Sequence, residues 1–279
     1  MASRISGGWI HGVTPRRADA DGARPARFDV AERTQTDVKE ASDVVALPGG
    51  RFLVVGDRSR KVAVVSADGS VKKVELPGLG DGPSQFEGLA YDPVRKHLLV
   101  SREESREILR YEWNPAKKGD KPKLEKRFDV SHLDGPSNKG VEGLAYLSGS
   151  QSPTGRPQLL GVKEGHPREL VLFNDGGGGR PMPVRLDPAV KELCKDFSAV
   201  AVDPKTGNVY IASDESSDVV QLRLVRDGDQ VRGRLVQAIP LRGKHGEPLA
   251  RVEGISFNEK GDLFVLTESD GVLRRLARR

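Results

Sequence analysis

Five times along the chain a short apolar phrase returns: Ala41-Ser42-Asp43-Val44-Val45-Ala46, Phe86-Glu87-Gly88-Leu89-Ala90-Tyr91, Val141-Glu142-Gly143-Leu144-Ala145-Tyr146, Phe197-Ser198-Ala199-Val200-Ala201-Val202 and Val252-Glu253-Gly254-Ile255-Ser256-Phe257. The equivalent positions 42, 87, 142, 198 and 253 stand 45, 55, 56 and 55 residues apart. Such a period marks one supersecondary unit copied along the chain, each copy burying a face that it cannot bury alone. Equivalent positions in a closed array of copies converge on one axis, and that is where chemistry is sought.

After each phrase comes a turn rich in Pro, Asn, Asp and Gly, such as Asp203-Pro204-Lys205-Thr206-Gly207-Asn208, where Pro presets φ and Gly supplies positive φ. A second apolar run follows: Phe52–Val55, Leu98–Val100, Leu159–Val162, Val209–Ala212 and Leu263–Leu266. These runs are strand-sized and bounded by turns, which favours buried strand over helix. Third strands are expected at Val62–Val65, Ile108–Tyr111, Leu170–Phe173, Val219–Leu222 and Val272–Leu276, and fourth strands at Val71–Leu76, Leu124–Val130, Pro183–Leu186 and Arg234–Ile239. Four antiparallel strands per copy is the pattern of a propeller blade. The last copy has only three, but Arg27-Phe28-Asp29-Val30 repeats Arg127-Phe128-Asp129-Val130 letter for letter and stands at the same distance from the next phrase. The expectation is an all-β fold, a β-propeller of five four-stranded blades with an N-terminal strand closing the last. The alternative is six blades, the sixth drawn from residues 1–26. Residues 1–26 otherwise form an extension and 27–279 a single domain.

The acids follow the same repeat. The inner strand starts with Glu87, Glu142 or Glu253 in three copies and with Ser42 or Ser198 in two, while the second strand ends in Asp57, Glu103, Glu164, Asp214 and Glu268. In an antiparallel hairpin the start of one strand lies beside the end of the other, so both sets fall on one face of the disk. Crowded carboxylates raise one another's pKa unless a cation intervenes. Calcium, which takes six to eight oxygens, suits such a set better than zinc, which favours nitrogen and sulfur. Ca2+ held by Glu87, Glu142 and Glu253 is the expected cofactor. The competing reading is that each acid caps a loop or pairs with Arg58, Arg102, Lys139, Lys163 or Arg251, and it is the favoured one for the five second-strand acids.

Other chemistries find little support. Cys194 is the sole cysteine, which rules out an intramolecular disulfide and a cysteine zinc site. A net charge of +5 is spread among 40 acidic residues without a basic block carrying aromatics, which argues against nucleic acid. Apolar runs are too short for a bilayer span, and the N-terminus lacks the apolar stretch of a secretory signal. A cytoplasmic monomer is expected, or a periplasmic or membrane-associated one if a targeting segment has been removed. Among five histidines only His166, in Glu164-Gly165-His166-Pro167, follows a second strand on the acidic face and is a candidate general base. No Gly-x-Ser-x-Gly elbow is present.

The phrases Asn138-Lys139-Gly140-Val141-Glu142-Gly143-Leu144-Ala145, Asp196-Phe197-Ser198-Ala199-Val200-Ala201-Val202-Asp203 with Ser213-Asp214-Glu215-Ser216, and Val252-Glu253-Gly254-Ile255 ending at Thr267-Glu268-Ser269 resemble the SdiA-regulated family of bacterial β-propeller proteins, over roughly residues 40 to 277. The resemblance implies kinship with calcium-dependent lactonase and phytase-like esterase propellers, and places Glu142 and Glu253 at channel-facing positions. Two functions are carried forward. One is a calcium-binding, binding or sensing module that receives a small molecule or protein at its acidic face. The other is a calcium-dependent hydrolase of phosphate or carboxylic esters.

Overall fold

The computed structural model describes residues 28–80, 84–133, 140–174, 180–243 and 246–278. The extension 1–26, Lys139, His11, His245 and the glycine run 176–179 lie outside the described residues.

The described residues form twenty strands and one short helix. The first unit is β2 (Ala41–Leu47), β3 (Arg51–Gly56), β4 (Lys61–Val65) and β5 (Val71–Glu75), and the second is β6 (Phe86–Asp92), β7 (His97–Arg102), β8 (Glu107–Glu112) and β9 (Lys123–Asp129). The third is β10 (Val141–Leu147), β11 (Gln158–Lys163), β12 (Glu169–Phe173) and β13 (Met182–Leu186), and the fourth is β14 (Ala199–Val202), β15 (Val209–Ser213), β16 (Asp218–Asp227) and β17 (Gln230–Pro240). In the last unit β18 (Val252–Phe257), β19 (Leu263–Thr267) and β20 (Val272–Arg278) are completed by β1 (Phe28–Gln35), which pairs antiparallel with β20 from Phe28 opposite Arg278 to Gln35 opposite Val272. Each unit is an antiparallel meander. Inner strands touch in sequence, β2 to β6, β6 to β10, β10 to β14 and β14 to β18, and β18 returns to β2. Among the described residues there are thus five four-stranded units around a closed ring, and a sixth would have to come from residues outside them.

Burial follows this packing. β11, β15 and β19 are buried along their whole length, because each of their faces is covered by a neighbouring unit, so the runs are apolar throughout instead of alternating. The outer β5 and β9 are mostly exposed and carry Lys72, Lys73, Lys123 and Lys126, which discourages further strands from pairing there. The glycine of the repeat permits the ring to close. A Cβ on Gly88 would stand 2.9 Å from Leu144 N, and one on Gly143 would stand 2.8 Å from Ala199 Cα.

Three features depart from the sequence reading. β16 and β17 run well beyond Val219–Leu222 and Arg234–Ile239 as a ribbon. The start of β17 pairs in parallel with β13, joining the third and fourth units into one eight-stranded sheet. Between them α1 (Pro188–Leu193) is capped by Asp187, whose carboxylate accepts the Ala189 N–H at 3.1 Å, and it buries Val190.

Candidate functional site at the acidic mouth

Inner strands start on one face of the ring, and four of the five start irregularly. The ladder passes from Ala41 to Asp43 in β2, from Phe86 to Leu89 in β6, from Val141 to Gly143 in β10 and from Val252 to Gly254 in β18. The residues left out are Ser42, Glu87 with Gly88, Glu142 and Glu253. A β-bulge re-aims the side chain of its extra residue, which is how the repeat turns its acids out of the blade and onto the axis. In the fourth unit Ser198 Oγ donates to the Val252 carbonyl at 2.7 Å, tying that unit to the last.

Ser42, Glu87, Glu142, Ser198 and Glu253 line a cavity of about 230 Å3 together with Asp57, Glu103, Glu164 and Glu268. Seven of the eight expected carboxylates therefore meet there, and among the described residues no Lys or Arg side chain lines the cavity. Asp214 is the exception. Its Oδ1 accepts the Val252 N–H at 3.2 Å, and burial, then Asp196, pushes its pKa up. Of the competing cations, Arg251 pairs with Glu268, Arg58 with Glu40 at 2.6 Å and Arg102 with Glu107 at 2.6 Å, while Lys163 Nζ donates to the Pro167 carbonyl at 2.9 Å.

The crowding is visible in proton affinity. Burial, followed by the charges of Glu142, Glu103, Asp57 and Glu253, pushes Glu87 from 4.5 up to about 10. Burial and then Asp214, Glu268, Glu164 and Asp196 push Glu253 up to about 8. Asp57 is raised by burial and then by Glu40. Raised this far, Glu87 and Glu253 keep protons at neutral pH where a cation would otherwise balance the charge.

One further carboxylate lies beneath the mouth. Asp43 occupies, in the first unit, the place of Gly88, Gly143 and Gly254 in others, and it is wholly buried. Its Oδ1 accepts the Val44 N–H and its Oδ2 the Leu89 N–H, each at 2.7 Å, and the Leu144 amide also donates to it. The inner edge of an inner strand has no next strand to pair with, so its amides need another acceptor. Asp43 supplies one to three units at once. Burial pushes its pKa well up, and the three amides pull against that. Aligning Ser42-Asp43 against the Glu-Gly pairs would have exposed this displaced acid in the sequence.

The model of the SdiA-regulated family matches residues 123–271, more than half of the chain. This chain belongs to the SdiA-regulated family. Its fold is shared with solved propellers of low sequence identity. A Thermus thermophilus protein described as a putative oxidoreductase (glucose dehydrogenase) is 14% identical with a TM-score of 0.53, over 90% of this chain and 100% of that one. The PQQ-bound aldose sugar dehydrogenase of Streptomyces coelicolor is 13% identical with a TM-score of 0.54, over 91% and 99%. A Bacteroides thetaiotaomicron protein of unknown function is 15% identical with a TM-score of 0.56, over 86% of this chain and 60% of that one. At these identities the likeness shows the fold alone.

In this SdiA-regulated propeller His166 is exposed and does not line the cavity. The donors at the mouth are carboxylate and hydroxyl oxygens, the chemistry that calcium takes. Among the described residues no three of the carboxylates stand close enough to grip one ion. An ion in a cavity of this size would keep part of its water shell, as hard divalent cations commonly do. Among the described residues no helix is long and apolar enough to cross a membrane.

Proposed function

We propose that this propeller binds a divalent cation, calcium by the chemistry of its donors, at the acidic mouth, and works as a binding or sensing module whose loaded face receives a small molecule or a protein. The observation that carries the reading is the meeting of seven carboxylates from four units around one cavity, with Glu87 and Glu253 pushed up to about 10 and about 8. Such a site exchanges protons for metal: the cation supplies the positive charge that protonation otherwise supplies. Glu87, Glu142 and Glu253 would hold the ion partly through waters it retains, with Ser42, Ser198 and the outer acids orienting those waters. When bound, the ion offers open coordination positions to an oxygen-bearing ligand.

A ligand that binds only the folded state stabilises it by about 2.7 kcal/mol at a hundredfold excess over Kd. Calcium should therefore raise Tm, a chelator should reverse the effect, and Glu142→Gln should weaken it. No shift at millimolar calcium would refute the reading. In the hydrolase alternative the same ion would polarise an ester or phosphoester oxygen. Turnover of phosphomonoesters, lactones or aryl esters by the loaded protein, lost on Glu142→Gln, would replace the binding reading with that one.

A further inference from the structure

A second cavity, of about 200 Å3, opens elsewhere along the inner strands and has the opposite chemistry. Val44, Leu89, Leu144, Val200 and Ile255, one from each inner strand, contribute to its lining, and among the described residues no charged side chain does. Asp43 stands in the chain between Ser42, which lines the acidic cavity, and Val44, which lines this one.

The walls are unequal in a way the repeat makes plain. Four residues after the Glu or Ser position come Ala46, Tyr91, Tyr146, Val202 and Phe257. The residue is aromatic in the three units that carry Glu and small in the two that carry Ser. All five line the cavity, so aromatic rings bound it on three units and space is left at Ala46 and Val202. The insertion of residues 148–155 adds a polar wall. Ser148 donates to Gln151 Oε1 from its N–H at 3.2 Å and from Oγ at 2.7 Å, and Gln151 Nε2 donates across to the Asp203 carbonyl at 3.4 Å. Ser256, only 6% exposed, also lines the cavity; its Oγ accepts the Ala46 N–H at 2.8 Å, which leaves the hydroxyl proton to be donated.

We propose that this cavity is a binding site for a neutral, single-ring, largely apolar small molecule that carries a carbonyl acceptor, received by the Ser256 hydroxyl. A charged ligand would lose its water here with no opposite charge to meet it. The volume lies below the roughly 300–1,000 Å3 of sites for drug-sized ligands, which limits the occupant to about one ring. Apolar lining with a few placed polar groups is the usual make-up of such sites. The inference stands apart from the cation reading, since none of its lining residues belongs to the acidic mouth.

The test uses acetophenone, toluene and benzoate as probes, with EDTA present throughout, read by the NMR methyl signals of Val44, Leu89, Leu144, Val200 and Ile255. Acetophenone should shift these signals saturably, toluene should bind about fivefold more weakly for want of one hydrogen bond, and benzoate should leave them unmoved. Ser256→Ala should bring acetophenone to the level of toluene. Ala46→Phe and Val202→Phe, each at a partly exposed position, should fill the cavity and remove the response; if one fails to fold, the other decides. Absence of any shift with millimolar acetophenone, an equal response to benzoate, or a response unchanged in the folded filling variants would overturn the proposal.

Discussion

Replacing Glu87 by Gln should stabilise the metal-free protein, and the size of the effect follows from its surroundings. In the unfolded chain a glutamate with its ordinary pKa of 4.5 is ionised at pH 7, while in the fold burial and the neighbouring acids hold Glu87 up at about 10. The native state therefore keeps a proton that the unfolded state has released. Each pH unit between 4.5 and the working pH costs about 1.4 kcal/mol, so at pH 7 the cost is about 3 kcal/mol. That figure needs only a native value above 7. A group raised in this way contributes fully below the unfolded pKa and loses its contribution as pH rises toward the folded one. Gln is neutral in both states and escapes the penalty. Urea titrations in EDTA should show Glu87→Gln ahead of wild type by about 2–3 kcal/mol at pH 7, or roughly 4–12 °C in Tm, and by less than about 1 kcal/mol at pH 5. A variant no more stable than wild type at pH 7, or an advantage that does not widen between pH 5 and 8, would refute the reasoning. The same substitution should weaken calcium, so stability and cation binding should move in opposite directions.

Asp43→Ala should cost about 2–5 kcal/mol, because the Val44, Leu89 and Leu144 amides lose a buried acceptor; a loss below about 1 kcal/mol in urea would contradict the role given to it. Gly143→Ala should destabilise by about 1–3 kcal/mol, since the added methyl meets the Ala199 backbone at 2.8 Å and only a backbone shift relieves that contact; an unchanged urea midpoint would count against the close packing of the inner strands. Calcium titrated calorimetrically at pH 7 in buffers of different ionisation enthalpy should release protons, as Glu87 and Glu253 give theirs up; identical heats in all buffers would contradict the exchange.

Strand order and closure are legible in the sequence because both rest on periodicity. The apolar run of each second strand is buried on both faces, and the copy of Arg127-Phe128-Asp129-Val130 near the start marks the strand that pairs with β20. The gathering of Glu87, Glu142 and Glu253 is legible for the same reason. What periodicity does not carry is local backbone irregularity. The bulges that turn these glutamates onto the axis depend on register between strands, which one strand's sequence does not state. Asp43 is hidden by standing in a glycine column, and Asp214 by a competing amide at Val252. The parallel pairing of β13 with β17 joins outer strands of neighbouring units, a contact outside the repeat itself.

Closure of the ring by β1 also sets a timetable for synthesis. β1 emerges from the ribosome long before β20, separated from it by the chain between Gln35 and Val272. At about 5–20 residues per second, that interval lasts on the order of ten to fifty seconds. Throughout it, four units can pack while β1 waits with no native partner for its edge, and the ring is sealed only once β20 has been made. A nascent chain of this kind passes through an open ring with one unpaired strand, and that is the state in which pairing with a second copy, or capture by a chaperone, competes with its own completion.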